Sequence, residues 1–375
     1  MKEKFVTLIS ILLSISFFAQ ANSPSNFSVD VTSAKLYLDM SNKANKGQMP
    51  SDEEWNTLFS SPAYVELFKR VNWDKEEFQS NVREAFNLAY NPLKANERDS
   101  IAAMFNDIEL ATLDSELPLF LSTAMSIKEN LATYTETINN IDIDKVIADA
   151  NNLALSLLPN RGEGITPEPC PIYFIVWDLE CRSLGDALFL DVNTFFYDGL
   201  QTATEALAHE MHHFYLMPVF NTVYKEDVMD GAIIALVQNM REGVADILNK
   251  KEMPLKSLAP YGEKMLAAYN EDYAASPQIL EKLDAVTCEY LDGKLNMEQY
   301  IRAAIKCARY GGHTTGDFMV FLIRDQLGID AVVECVGNVE NFVDNYNKAA
   351  AKAGTYQFSD RFTKHIHDIC SPARR

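Results

Sequence analysis

The chain has 375 residues, 47% of them hydrophobic and 23% charged, a globular composition with material for a core and length for two or three domains. Its formal net charge of −20 excludes nucleic acid as a partner, because phosphate binding takes a basic surface, and argues equally against docking on anionic lipid. Beyond solubility, the acidity carries no information about activity.

The first residues, MKEKFVTLISILLSISFFAQA, have the form of an export signal. Lys2 and Lys4 make a positive start, Phe5 to Phe18 is a mostly apolar run too short to span a bilayer comfortably, and Ala19-Gln20-Ala21 is a small-x-small cleavage pattern. Residues 1–21 are read as a signal peptide. The mature chain is then expected to be exported, periplasmic or secreted, and off the membrane after cleavage. All six cysteines, Cys170, Cys181, Cys288, Cys307, Cys335 and Cys370, lie beyond the cut. An even count in an exported chain permits three disulfides, and Cys170 with Cys181 could staple the strand between them. The lack of any C-x-x-C pair sets aside a thiolate zinc site.

Residues 22–121 read as an N-terminal helical region. Ser51 and Glu54 form a capping box ahead of Trp55, Leu58 and Phe59, and Ser61-Pro62 opens the next helix. Asn91-Pro92 and Leu117-Pro118 are breaks, since the residue before a proline is pushed out of the helical region. A long helix is expected from Ser122 to Leu158, with NNIDIDKVIAD inside it as a solvated face or a kink. After the Gly- and Pro-rich loop of residues 157–171 the period changes. IYFIVW (172–177) and ALFLDV (187–192) read as neighbouring strands of a small sheet, the only two that stand out. Helices then return. Thr202 and Glu205 make a capping box, Pro218 marks a stop, a second helix runs from about Asp227 to Lys250, and Ser276-Pro277 opens another that Gly293 ends. Further helices, separated by Gly311-Gly312 and Gly328, fill residues 256–375, a C-terminal helical region. The expected class is α+β, predominantly helical, with the small sheet just before the histidine-bearing helix of a core spanning 122–255.

That helix carries His209-Glu210-Met211-His212-His213, an H-E-x-x-H match. Residues four apart share a helix face, so His209 and His213 can offer two imidazoles to one ion. Glu210 stands about 100° round the helix, near enough to take a proton from water beside that ion. The ion expected is zinc, one per chain. On the next helix Glu242 and Asp246 also share a face. Glu242 is read as the third ligand, and Asp246 as a carboxylate accepting the N–H of a ligating histidine. Gly243 is read as letting this helix pack closely beside the H-E-x-x-H helix. His212 points off the ligand face and is read as facing substrate or packing. His365 and His367, near the C-terminus among charged residues, read as surface decoration.

H-E-x-x-H followed downstream by E-x-x-x-D resembles the gluzincin zinc metallopeptidases. The stretch from Ile172 to Lys250 is also similar to families of bacterial zinc-dependent peptidases known mainly from sequence. The resemblance implies His209, His213 and Glu242 as zinc ligands, Glu210 as general base and Asp246 behind the ligands, acting on a peptide or protein substrate. It also implies a further donor to the developing oxyanion: His313 first and Tyr310 second, both in ARYGGHTTGDF. ALFLDV would be the edge strand that pairs with an extended substrate, while its pattern fits an ordinary core strand equally. One departure is the interval 214–241, longer than in the best-known gluzincins. It implies an insertion between the two helices and leaves Glu205 as a rival carboxylate. The competing readings are a zinc hydrolase of another amide or ester, and a non-catalytic exported helical binding protein with a relic metal site. If the export reading holds, intact-mass measurement of the exported chain will give an N-terminus at Asn22. A mass retaining residues 1–21 would make that segment an uncleaved anchor.

Overall fold

The computed structural model describes residues 26–105, 117–163, 169–176, 181–196, 199–223, 230–258 and 262–370. The signal segment 1–21 and the cleavage point lie outside the described residues. The architecture is α+β and predominantly helical. A first strand, β1 (Phe27–Asp30), leads into α1 (Thr32–Ala44), α2 (Asp52–Phe59), α3 (Pro62–Arg70), α4 (Lys75–Tyr90), α5 (Ala95–Phe105), α6 (Leu117–Asn140) and α7 (Ile143–Ser156). Then come β2 (Cys170–Ile175), β3 (Arg182–Leu184), β4 (Ala187–Asp191) and the short α8 (Val192–Phe196). The remainder is α9 (Leu200–Val223), α10 (Gly231–Asn249), α11 (Glu263–Ala274), α12 (Ser276–Leu291), α13 (Met297–Ile305), α14 (His313–Leu327), α15 (Ile329–Val333), α16 (Val339–Ala353) and α17 (Asp360–Cys370).

Local chemistry explains most of the boundaries. The Ser51/Glu54 capping box opens α2, and a proline in the first turn opens α3. The helix expected over 122–158 is two helices. Asp142 accepts from the backbone N–H of Lys145, which starts α7 afresh, so the acidic stretch is a break. α9 departs from expectation at both ends. It begins at Leu200, which puts Thr202 inside the first turn instead of at a cap, and Glu205 binds Gln201 at 2.7 Å instead of closing a box. It also runs past Pro218 to Val223, so the proline, which removes one ladder bond, does not end the helix. Asp230 caps α10 by accepting from Ala232 and Ile233, and its second oxygen is bonded to His365 Nε2 at 3.0 Å. His367 pairs with Asp344 at 3.0 Å. His365 is therefore not surface decoration, whereas His367, 42% exposed at its side chain, is a surface residue. No disulfide joins any of the six cysteines, and the Cys170–Cys181 staple is not formed.

The sheet has the order β1-β2-β4-β3. β1 and β4 flank β2 in parallel, and β3 pairs with β4 antiparallel. Two of these strands escaped the sequence reading: β1 has only four residues and β3 three, too short for a period to register. β4 is buried at every position and bonded on both sides. ALFLDV is therefore an interior strand, and the edge next to it is β3, which lies against α9.

Behind the sheet, α9 packs on α7 and α10, and α10 packs on α14. Gly243 faces Gly316 of α14, not the H-E-x-x-H helix. A Cβ at Gly243 would lie 2.4 Å from the carbonyl carbon and oxygen of Gly316, and one at Gly316 would lie 2.2 Å from the carbonyl oxygen of Asn239. Thr315 Oγ1 donates to Asn239 Oδ1 at 2.7 Å across the same crossing. Alanine for glycine in a helix interior normally stabilises by about 1 kcal/mol. Here the sign should reverse. Gly316→Ala is expected to destabilise by about 1–3 kcal/mol through overpacking, read as a lower midpoint in chemical unfolding. A midpoint equal to or above wild type would mean that the two backbones do not touch.

Candidate metal centre

The H-E-x-x-H segment lies in the middle of α9, among Leu207, Ala208, Met211 and Phe214, all buried. His209, Glu210 and His213 are 6%, 8% and 6% exposed, so none is an ordinary surface group. The turn from His209 to His213 brings their Nε2 atoms to 3.0 Å. Glu242, one helix away, sets Oε2 3.0 Å from His213 Nε2 and 3.7 Å from His209 Nε2. Ligand atoms on a tetrahedral zinc with bonds of about 2.0–2.1 Å lie roughly 3.3 Å apart, so this triangle has the size of one face of such a site. Among the described residues, these three are the only group of His, Cys, Asp and Glu whose donor atoms converge in this way.

Electrostatics at the site favour a cation. Burial pushes the His209 imidazole toward its neutral form, but the neighbouring carboxylates of Asp246 and Glu242 outweigh burial and raise it well above the usual histidine value. Burial holds the neighbouring His213 below that value. Burial would raise Glu242, yet the two neighbouring imidazoles, His213 foremost, keep it well below the ordinary carboxylate range. Two imidazoles and a carboxylate thus converge on one point. Two neutral-nitrogen donors and one oxygen donor are a set zinc accepts, so the residues fit the ion.

Asp246, 1% exposed at its side chain, lies behind the ligands. Its Oδ1 is 3.3 Å from His209 Nδ1, and its Oδ2 accepts from His313 Nδ1 at 2.7 Å. His313, the first residue of α14, is 33% exposed and its Nε2 lies 3.6 Å from Glu242 Oε2. The His209 and His313 rings lie 6.0 Å apart, 23° from parallel. His313 is therefore at the site, on its solvent side. Tyr310 is placed differently: its ring lies against Tyr269, 5.5 Å between centroids. Glu205 binds Lys251 at 3.1 Å and Gln201, and is not part of the ligand triangle. His212 is fully buried and burial drives it down to about 3, so it stays neutral and packs.

Three residues of the cluster were missed. Lys250 Nζ donates to Asp246 Oδ2 at 2.6 Å and Asp317 Oδ2 at 3.2 Å, and Tyr269 Oη donates to Asp317 Oδ2 at 2.8 Å. Lys250 extends the Glu242–Asp246 face by one more turn, and Asp317 lies one turn beyond His313. Both continue stripes already visible in the sequence. Tyr269 lies on α11, a helix the sequence reading did not resolve, and nothing in its local pattern marks it.

A family model described as "Putative zinc dependent peptidase (DUF5700)" matches residues 55–355, a span that contains all of these side chains. The chain belongs to that family. No curated protein and no solved structure matches the chain. The family's description is of zinc-dependent peptide hydrolysis, and the His209–His213–Glu242 triangle is where a member with this sequence has donors to hold zinc. Removing one ligand, as in His213→Ala, should abolish stoichiometric zinc binding. Asp246→Asn should weaken it about 10–100-fold. Competition with a chromophoric chelator reads both, and unchanged affinity in either variant would mean that zinc is held elsewhere.

Proposed function

We propose that the chain is an exported zinc metallopeptidase of the gluzincin type that hydrolyses peptide bonds with Glu210 as general base. The observation that carries this reading is the convergence of His209 Nε2, His213 Nε2 and Glu242 Oε2 within 3.0–3.7 Å of one another, with Asp246 directly behind them. Glu242 and Asp246 on one helix and the histidine pair on another supply the H-E-x-x-H plus E-x-x-x-D arrangement.

Zinc, when bound by these three side chains, acidifies water and polarises a carbonyl oxygen. The rest of the chemistry belongs to the chain. Glu210 follows His209 on α9 and its charge acts on that ring. Its carboxylate takes the proton from the attacking water and passes it to the leaving amine. His313 donates to the oxygen of the scissile carbonyl as charge builds there. With Nδ1 donating to Asp246, the His313 ring can donate from Nε2 only as an imidazolium, so this role requires a positively charged His313. The extended substrate backbone adds to β3, the edge strand of the described sheet that lies against α9, in place of the interior β4. Burial of Glu210, His209 and His213 keeps bulk water from competing for the proton.

The test is a digest of a broad peptide library by the purified chain, with and without chelator, followed by two variants. Glu210→Gln should keep zinc and lose about 10²–10⁴-fold in kcat. His313→Ala should keep zinc and lose about 10²–10³-fold. Full peptidase activity in Glu210→Gln ends the proposal. Chelator-insensitive cleavage, or zinc binding with no cleavage of any peptide, does so equally.

A further inference from the structure

Among the contacts that Asp246 makes, the one with Lys250 has no counterpart in the proposed reaction. Lys250 follows the last turn of α10, with extended backbone at φ −113° and ψ 113°. Its N–H donates to the Asp246 carbonyl at 2.6 Å, while its side chain folds back and Nζ meets Asp246 Oδ2, also at 2.6 Å. Nζ donates further to Tyr269 Oη at 2.6 Å and to Asp317 Oδ2 at 3.2 Å. A lysine ammonium has three donors, and here each has a partner. Tyr269 closes the ring by donating to Asp317, and its ring face lies 4.9 Å from Nζ. The side chains of Asp317 and Asp246 are 0% and 1% exposed, and that of Lys250 13%. The next residue, Lys251, is 72% exposed and binds Glu205. Burial is therefore selective for Lys250.

Asp246 is shared. Oδ1 faces Nδ1 of His209, a residue of the metal triangle, and Oδ2 faces Nδ1 of His313, on the substrate side. A carboxylate between two rings is free to pivot toward either. A third, charged contact on Oδ2 from a group that is itself clamped removes that freedom.

We propose that Lys250, held by Tyr269 and Asp317, is a positioning residue that fixes Asp246 between His209 and His313, so that one carboxylate sets both the metal cage and the substrate-facing imidazole. The proposal rests on the zinc peptidase reading for its consequences in turnover, but not for its consequences in metal affinity. The Lys250 ammonium bonds to Asp246, Tyr269 and Asp317, none of them a member of the metal triangle. A purely structural lysine at this place would lower the melting temperature and leave affinity and kcat alone once the protein is folded.

The experiment compares Lys250→Met, which keeps the aliphatic stem, with Tyr269→Phe, which deletes one partner of the ammonium, and with Lys251→Met as the exposed control. Each variant is measured at a temperature where circular dichroism shows it folded. Zinc affinity comes from chelator competition, and kcat and KM from a cleaved peptide. Lys250→Met should lose at least about tenfold in zinc affinity and tenfold or more in kcat, with KM within about twofold. Tyr269→Phe should fall between it and wild type, and Lys251→Met should match wild type. A folded Lys250→Met with wild-type affinity and kcat overturns the inference, as does an equal loss in Lys251→Met. Should Lys250→Met not fold, Tyr269→Phe decides on the same two readouts. If the wild-type chain binds zinc but cleaves no peptide, the peptidase reading falls and the affinity comparison still decides the role of Lys250. If it binds no zinc, both fall.

Discussion

The contact on which the site depends is the meeting of two helix backbones at Gly243 and Gly316. Side chains on α10 and α14 could not otherwise share one carboxylate. With each glycine's missing Cβ replaced by the other helix's main chain, His313 and Asp317 reach across to Glu242, Asp246 and Lys250. Residues about seventy positions apart in the chain then behave as one cluster. The cluster in turn fixes how α10 presents Glu242 to the two imidazoles of α9.

Such a cluster brings several carboxylates into a region with little water, and ions there persist only when paired and hydrogen-bonded. The pairing runs in layers. The His209 and His213 imidazoles face Glu242, the His209 and His313 rings and the Lys250 ammonium face Asp246, and Lys250 with Tyr269 faces Asp317. Burial raises Asp317 well above the ordinary carboxylate range, and nearby Asp246 pushes it further in the same direction. The layered arrangement explains why so acidic a chain keeps one of its lysines inside.

What could be read from the sequence followed helical phase. His209 with His213, and Glu242 with Asp246, are i,i+4 pairs, and a helix puts such pairs on one face whatever surrounds them. His313 was placed correctly at a helix start after two glycines. The misreadings fell where phase gives no answer. Which helix Gly243 touches, whether β4 is an edge, and whether a proline ends a helix are tertiary facts, and no local pattern encodes them. β1 and β3 are too short to show a period. Tyr269 reaches the cluster by the path of its helix alone. Lys250 and Asp317 could have been found by extending the two stripes by one more turn, since each continues a face already identified.

The interval between His213 and Glu242 looked like room for an inserted element. Much of it is instead helix that overshoots the site: α9 carries on to Val223, and α10 is already under way from Gly231, well before it reaches Glu242. The helical residues 214–223 and 231–241 account for most of the interval, so its length reflects helix as well as connection. Lengthening or shortening both rods by matched whole turns leaves the imidazoles and the carboxylate facing one another. Counting residues between ligands is accordingly a poor ruler for centres of this architecture. A search pattern that fixes the rotational setting of each helix and leaves the gap open would find relatives that a fixed spacing discards.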